Sequence, residues 1–214
     1  MKTVLVLLLS LLALCIPVLT GSSQEKPVVL LIARGESTAM GEVALKFEIE
    51  KEVNTIINKL NSLGYAVEVA SESGKLIQAG GSKLPVDKKL ADVQVQNYVG
   101  VIIPCMGEVQ NAIPKGSVKI VQDLYNRNVP VAAQHSGVII LGAAGLLRGR
   151  NYAIGEGWDR SCPYVKDGNF KGVGVVRDGN IVTSGTCPWL SGGTLKDGTD
   201  ELVTTFVKML GRSD

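Results

Sequence analysis

One histidine, His135, serves the whole 214-residue chain, and no two of its four cysteines stand in the close spacing that clamps a metal. A tetrahedral zinc set of the usual kind is therefore not expected, and no metal is assigned. Glycine is plentiful, yet Gly80-Gly81 and Gly192-Gly193 are isolated turn pairs, so no phosphate-cradling loop opens a helix and no cofactor is implied. Charged residues make up 20% of the chain, balance to a formal +2, and form no block of one sign. Nucleic acid and anionic membrane surfaces are thus not indicated as partners. Aromatics are scarce at 5%, while apolar residues reach 45%, enough for one ordinary globular core.

The one long apolar run is Val4 to Leu14, behind Met1 and Lys2 and ahead of Cys15, Pro17 and the small polar stretch Thr20 to Ser23. A short basic start, a short apolar middle and a small-residue zone predict a secretory signal over residues 1–23, too short for a good membrane span. A single exported domain, secreted or periplasmic, is expected over residues 24–214. Lipid anchoring through Cys15 is the alternative, although Leu14 stands where a small residue is expected. Loss of the leader leaves Cys105, Cys162 and Cys187. In an oxidising compartment that odd number predicts one bridge and one spare thiol. Cys162 and Cys187 lie in similar loops, each followed by proline, and their bridge would contribute about 3 kcal/mol on a chain-entropy model.

The pattern then alternates. Continuous apolar runs predict buried parallel strands over Pro27 to Ala33, Tyr65 to Ala70, Tyr98 to Pro104 and Val129 to Gln134. Helices are expected over Val43 to Leu63, Val118 to Arg127, Val138 to Leu147 and Asp200 to Leu210, with Gly64 stopping the first. Ser71 to Gly81 reads as a loop or small hairpin. Short strands follow at Tyr152 to Ile154, Gly172 to Val176 and Ile181 to Ser184, the last two joined by an Asp178-Gly179 hairpin turn. This order means right-handed crossovers and an α/β fold with a parallel sheet covered on both faces. The strand ending at Gln134 runs straight into a helix, so His135 sits at a tight corner where nucleophiles are commonly raised beside a helix start.

Val131-Ala-Ala-Gln-His-Ser-Gly followed by Ala144-Gly-Leu-Leu-Arg-Gly-Arg resembles the nucleophile elbow of the DJ-1/PfpI superfamily, relatives of class I glutamine amidotransferase domains. Leu84 to Val93 with Asp87, Leu90 and Asp92, Tyr98 to Pro104, and Val175-Val-Arg-Asp-Gly-Asn-Ile-Val-Thr-Ser agree in order and spacing. The resemblance covers about Val28 to Gly211 and implies a flavodoxin-like α/β/α sandwich, with a small antiparallel hairpin towards its C-terminal part, and a homodimer. It also implies a cysteine at the elbow, often followed by histidine. Counting back from Arg150, those places fall on His135 and Ser136.

Family-type protease, amidase or glyoxalase chemistry lacks its usual thiol there. Two readings stay open. The favoured one is a catalytically silent member that binds a small ligand or a partner. The alternative is a hydrolase or lyase-like enzyme on a small amide or carbonyl substrate. In that case Cys105, standing in Cys105-Met106-Gly107 where the family usually has a glycine pair, joins His135 in a relocated pair, with Ser136 as another candidate nucleophile. The plainer view makes Cys105 a small buried residue and His135 a satisfied polar group.

The family's functional glutamate maps to Glu52 when counted back from Gly64 and to Glu36 when counted from the first strand, with Glu42 and Glu48 also possible. Glu52 falls inside the apolar stripe Leu45, Ile49, Ile56, Leu60 and Leu63, where a carboxyl must be hydrogen-bonded or neutral. For Glu48 and Glu50 a solvated charge is the default. Met106, Gly107, Gln134, Gly137, Glu36, Glu156 and Trp158 are the expected pocket residues, the last two from a loop after a strand end. Cys187-Pro-Trp-Leu-Ser is expected at a rim or an oligomer contact, with Trp189 as packing.

Overall fold

The computed structural model describes residues 25–34, 41–105, 113–191 and 197–211. The leader with Cys15, and Glu36, Met106 and Gly107, lie outside the described residues. Among those described, the strands are β1 (Val28–Ile32), β2 (Ala66–Ser71), β3 (Ile77–Ala79), β4 (Ser82–Leu84), β5 (Lys88–Lys89), β6 (Tyr98–Ile103), β7 (Val131–Gln134), β8 (Asn151–Tyr152), β9 (Asn169–Phe170), β10 (Val175–Asp178) and β11 (Ile181–Ser184). The helices are α1 (Gly41–Glu48), α2 (Asn54–Ser62), α3 (Ser117–Asn126), α4 (Val138–Ala143), α5 (Trp158–Ser161), α6 (Pro188–Ser191) and α7 (Thr199–Met209).

A seven-stranded sheet runs β10-β11-β7-β6-β1-β2-β5. Every neighbouring pair in it is parallel except β10 with β11, the hairpin that turns at Gly179 and Asn180. Val29 to Ala33 of β1 and its continuation are fully buried, as a strand covered on both faces requires. One face carries the cluster of Ile103, Val121, Leu124 and Ile139; the other carries Leu45, Ile49, Ile56, Leu60 and Phe206. These two clusters make the expected three-layer α/β sandwich, and β3 with β4 forms the small hairpin expected before Gly81. Among the described residues no helix is long and apolar enough to cross a membrane.

Two local departures matter for the site. The long first helix is broken by a wider π turn, Ile49–Val53, between α1 and α2. Such turns add a residue to one helical turn and often accompany functional sites. The helix after the corner is also shorter than expected, α4 ending at Ala143 before Gly145 takes a positive φ of 72°.

Strand register then gathers the site. Ile103 of β6 pairs with Ala133 of β7, so Cys105 and His135, each two residues further on, emerge side by side. Ser184 of β11 pairs with Gln134, which brings Cys187 to the same end of the sheet. From β1 the chain goes to β2 on one side and from β6 to β7 on the other, and open α/β sheets bind ligands beside the carboxyl ends at such a reversal.

Candidate functional site

At the end of β7 the chain turns through His135–Gly137 into α4, and His135 adopts φ 43°. That left-handed backbone is uncommon for a residue with a Cβ and marks a tight corner. Gly137 is required by the same turn, because a Cβ there would lie 2.4 Å from the Ile103 carbonyl oxygen. His135 is 5% exposed, and its Nδ1 faces the Cys105 sulfur at 3.4 Å. The Trp158 ring packs on the imidazole with centroids 4.7 Å apart. Gly155 closes the other side, since a Cβ there would come within 2.3 Å of His135 Nε2. Among the described residues that nitrogen has no hydrogen-bond partner.

Cys105 is 2% exposed at the end of β6. Its backbone N–H donates to Glu52 Oε1 at 2.8 Å, and the Ser136 hydroxyl donates to the Cys105 carbonyl oxygen at 2.7 Å. The Ser136 oxygen is also 3.4 Å from the Cys105 sulfur. Arg34, just past β1, crosses beneath this group. It donates to Ser136 Oγ at 2.7 Å, to the Pro104 carbonyl at 3.1 Å and to the Cys105 carbonyl. Burial pulls its guanidinium below the ordinary value, countered by Cys105, Glu52 and Glu48.

Glu52 is fully buried, as its place in the apolar stripe predicts, and lies on the π turn. Glu48, whose default was a solvated charge, is fully buried as well, one turn earlier. Two carboxyls this close cannot both ionise cheaply. Burial raises the Glu52 carboxyl well above its ordinary range, and Glu48 adds to the rise. Burial likewise pushes Glu48 up to about 7. Glu42 is exposed and accepts the Gly80 N–H at 2.7 Å, away from this cluster.

The bridge expected between Cys162 and Cys187 does not form; Cys105, Cys162 and Cys187 are all free thiols. Cys162 packs in the apolar cluster beside Val165 on one face of the sheet. Cys187 instead donates to Glu48 Oε1 at 3.4 Å and reaches Cys105. The neighbouring Cys187 thiol, opposed by burial and reinforced by His135 and Ser136, holds the Cys105 thiol well below its ordinary value. The Cys105 sulfur, with burial, pushes the Cys187 thiol up.

A model of the DJ-1/PfpI family matches residues 43–190. The chain belongs to the DJ-1/PfpI family. An uncharacterized protein of Methanocaldococcus jannaschii is 29% identical over 127 residues, 58% of this chain and 62% of that protein, so the chain spans less than two thirds of that relative. An uncharacterized protein of Archaeoglobus fulgidus is 30% identical over 128 residues, 59% of this chain and 76% of that one. Among solved structures, a ThiJ/PfpI domain protein from Brachyspira murdochii superposes with a TM-score of 0.66 at 20% identity, over 89% of this chain and 100% of that one. Drosophila melanogaster DJ-1beta gives 0.52 at 19% identity, over 89% and 100%. These likenesses show the DJ-1/PfpI fold.

On that fold the structure brings together Cys105, His135, Ser136, Glu52 and Trp158 from the expected set. Gln134 is a strut: its amide donates to the Thr186 carbonyl at 2.6 Å and to Thr199 Oγ1 at 3.0 Å, tying down the segment that carries Cys187. Glu156 is exposed. Trp189 packs edge-on against Phe47 at 5.7 Å, as expected. Sequence reasoning missed Arg34 and the place of Cys187, and kept Glu48 among the alternatives for the functional glutamate with a solvated charge as its default. Only Glu48 carried a local signal, three residues after Leu45 and four before Glu52. Spacing along the chain argued against a metal set, yet the fold groups Cys105, His135 and Cys187, whose donor atoms lie within 4.8 Å of one another. Glu48, Glu52 and Cys105 form a second such group. Two sulfurs and an imidazole are the donor type for a thiophilic ion.

Proposed function

We propose that this is an exported DJ-1/PfpI-family enzyme in which Cys105, from the neighbouring strand end, replaces the thiol that His135 displaces from the elbow. It acts on a small amide or carbonyl substrate. The observation that carries the reading is the 3.4 Å approach of the Cys105 sulfur to His135 Nδ1. A silent site was favoured while the corner lacked a thiol; a thiol in hydrogen-bond reach of the corner imidazole favours catalysis instead.

The chemistry follows from the neighbours. Cys105 passes its proton to His135 Nδ1, and the thiolate attacks the substrate carbonyl carbon. His135 returns the proton to the leaving group as its bond to the carbonyl carbon breaks, water deprotonated by His135 then hydrolyses the Cys105 thioester, and Trp158 and Gly155 hold the ring in place for these transfers. Burial raises both carboxyls, Glu52 well above its ordinary range with Glu48 adding to the rise and Glu48 up to about 7, so the pair carries less than two full charges beside the thiolate. Arg34 fixes the Pro104 and Cys105 carbonyls so that the sulfur keeps its position.

The test is turnover of a panel of small activated amides, esters and α-oxoaldehydes. Turnover that falls at least a hundredfold in Cys105→Ser and in His135→Ala supports the reading. Binding of panel members without turnover, or turnover untouched by Cys105→Ser, overturns it in favour of a silent binding site. We also propose a homodimer, on the strength of the family relationship. Light scattering at twice the mass of the chain supports that, and a monomer mass overturns it.

A further inference from the structure

A single nucleophilic thiol needs no second sulfur beside it, yet the structure supplies one. The Cys105 sulfur, the Cys187 sulfur and a His135 ring nitrogen are all buried and lie within 4.8 Å of one another. The two cysteines arrive from different strands, β6 and β11, each locked in register against β7. A disulfide needs sulfurs about 2.05 Å apart. The Cys105 and Cys187 sulfurs are already neighbours, whereas Cys162 sits in the apolar cluster on one face of the sheet. Cys187 also has its own proton acceptor, Glu48 Oε1 at 3.4 Å.

We propose that Cys105 and Cys187 form a dithiol couple that reduces hydroperoxides, Cys105 as the attacking sulfur and Cys187 as the resolving one. This rests on the reading of Cys105 as the site's nucleophile and adds a substrate class to it. The Cys105 thiolate attacks the terminal oxygen of the peroxide. The O–O bond breaks, and the departing alkoxide takes a proton from the Glu48 and Glu52 pair, leaving an alcohol and a sulfenic acid on Cys105. Cys187 then gives its proton to Glu48, and its sulfur attacks the Cys105 sulfur. The S–O bond breaks, and the hydroxide leaves as water with a proton from the same carboxyl pair. The proton first passed from Cys105 to His135 returns to that pair.

In sum, one hydroperoxide and two thiols give one alcohol, one water and one disulfide; two sulfurs are oxidised and the peroxide is reduced. A further turnover requires an external small dithiol to reduce the bridge by exchange.

The experiment treats the reduced, purified protein with one equivalent of cumene hydroperoxide at pH 7 and maps its cysteines by non-reducing mass spectrometry. The expected product is a Cys105–Cys187 link. Cys187→Ser and Cys187→Ala should lose the link and accumulate a dimedone-trapped sulfenic acid at Cys105. Cys162→Ser should form the link within twofold of the wild-type rate. Absence of the link in the wild type, or an equal sulfenic acid yield with and without Cys187, overturns the couple. Iodoacetamide labelling of the reduced wild type and of His135→Ala, before peroxide is added, separates the failures. If labelling of Cys105 still depends on His135 while no link forms, only the couple is lost. If that dependence is absent too, the nucleophile reading has failed with it.

Discussion

What touches Cys105 sets its acidity. A buried thiol in apolar surroundings keeps its proton; here a neighbouring thiol, an imidazole and a hydroxyl outweigh that burial and hold it well below its ordinary value. Gly155 is the residue that permits the imidazole's position. Gly155→Ala places a Cβ within 2.3 Å of His135 Nε2, so the ring must shift away. The expected result is about a tenfold loss in alkylation of Cys105 at pH 7 with the fold intact, read by labelling rate alongside circular dichroism. Arg34→Ala removes the donor that satisfies the Pro104 and Cys105 carbonyls. It should cost about 2 kcal/mol in urea unfolding, because the buried Pro104 carbonyl loses this donor, while the Ser136 hydroxyl still donates to the Cys105 carbonyl.

At the scale of elements, the corner and the π turn do the positioning. Gly137→Ala drives a methyl against the Ile103 carbonyl oxygen at 2.4 Å, so α4 must move off the end of β6. A loss of about 2 kcal/mol in the urea midpoint is expected, together with slower Cys105 labelling. Strands and helices were legible in the sequence because continuous apolar runs and a three-and-four spacing leave few other arrangements. Ile181–Ser184 falls where the Asp178-Gly179 turn predicts. The corner at His135 and the buried Glu52 were legible for the same reason.

Glu48 obeyed the same spacing, but its charge argued for solvent, and nothing local announced the second carboxyl that lets both stay protonated. Cys187 and Arg34 could not be placed from sequence at all. Their neighbours come from β7 and β6, and only the pairing of Ser184 with Gln134, for Cys187, and of Leu31 with Ile102, for Arg34, brings them there. The mistaken bridge to Cys162 has that origin: similar loop composition says nothing about which face of the sheet a loop meets.

For the molecule as a whole, a buried site that holds protons ties stability to pH. The folded-state carboxyl of Glu48 is raised from 4.5 to about 7, so its contribution is fully present below 4.5 and is lost as the pH rises through about 7. Cys105 acts in the opposite sense: its folded value is depressed below 9.0, so its contribution is present above 9.0 and is lost as the pH falls through the folded value. Urea unfolding from pH 4.5 to 7 should therefore show a fall in stability that Glu48→Gln flattens, by up to about 3 kcal/mol. An identical pH slope in wild type and Glu48→Gln would show that the carboxyl is already ionised in the fold. The family relationship fixes the scaffold, but the choice between catalysis and silence belongs to the sulfur and imidazole at one end of the sheet.

Activation of Cys105 by His135 and its neighbours is read by iodoacetamide labelling of Cys105 at graded pH. Labelling should half-saturate well below the ordinary thiol value near 8.5 and move up towards it in His135→Ala. Labelling that rises only near 8.5, at the same rate in wild type and His135→Ala, would contradict it.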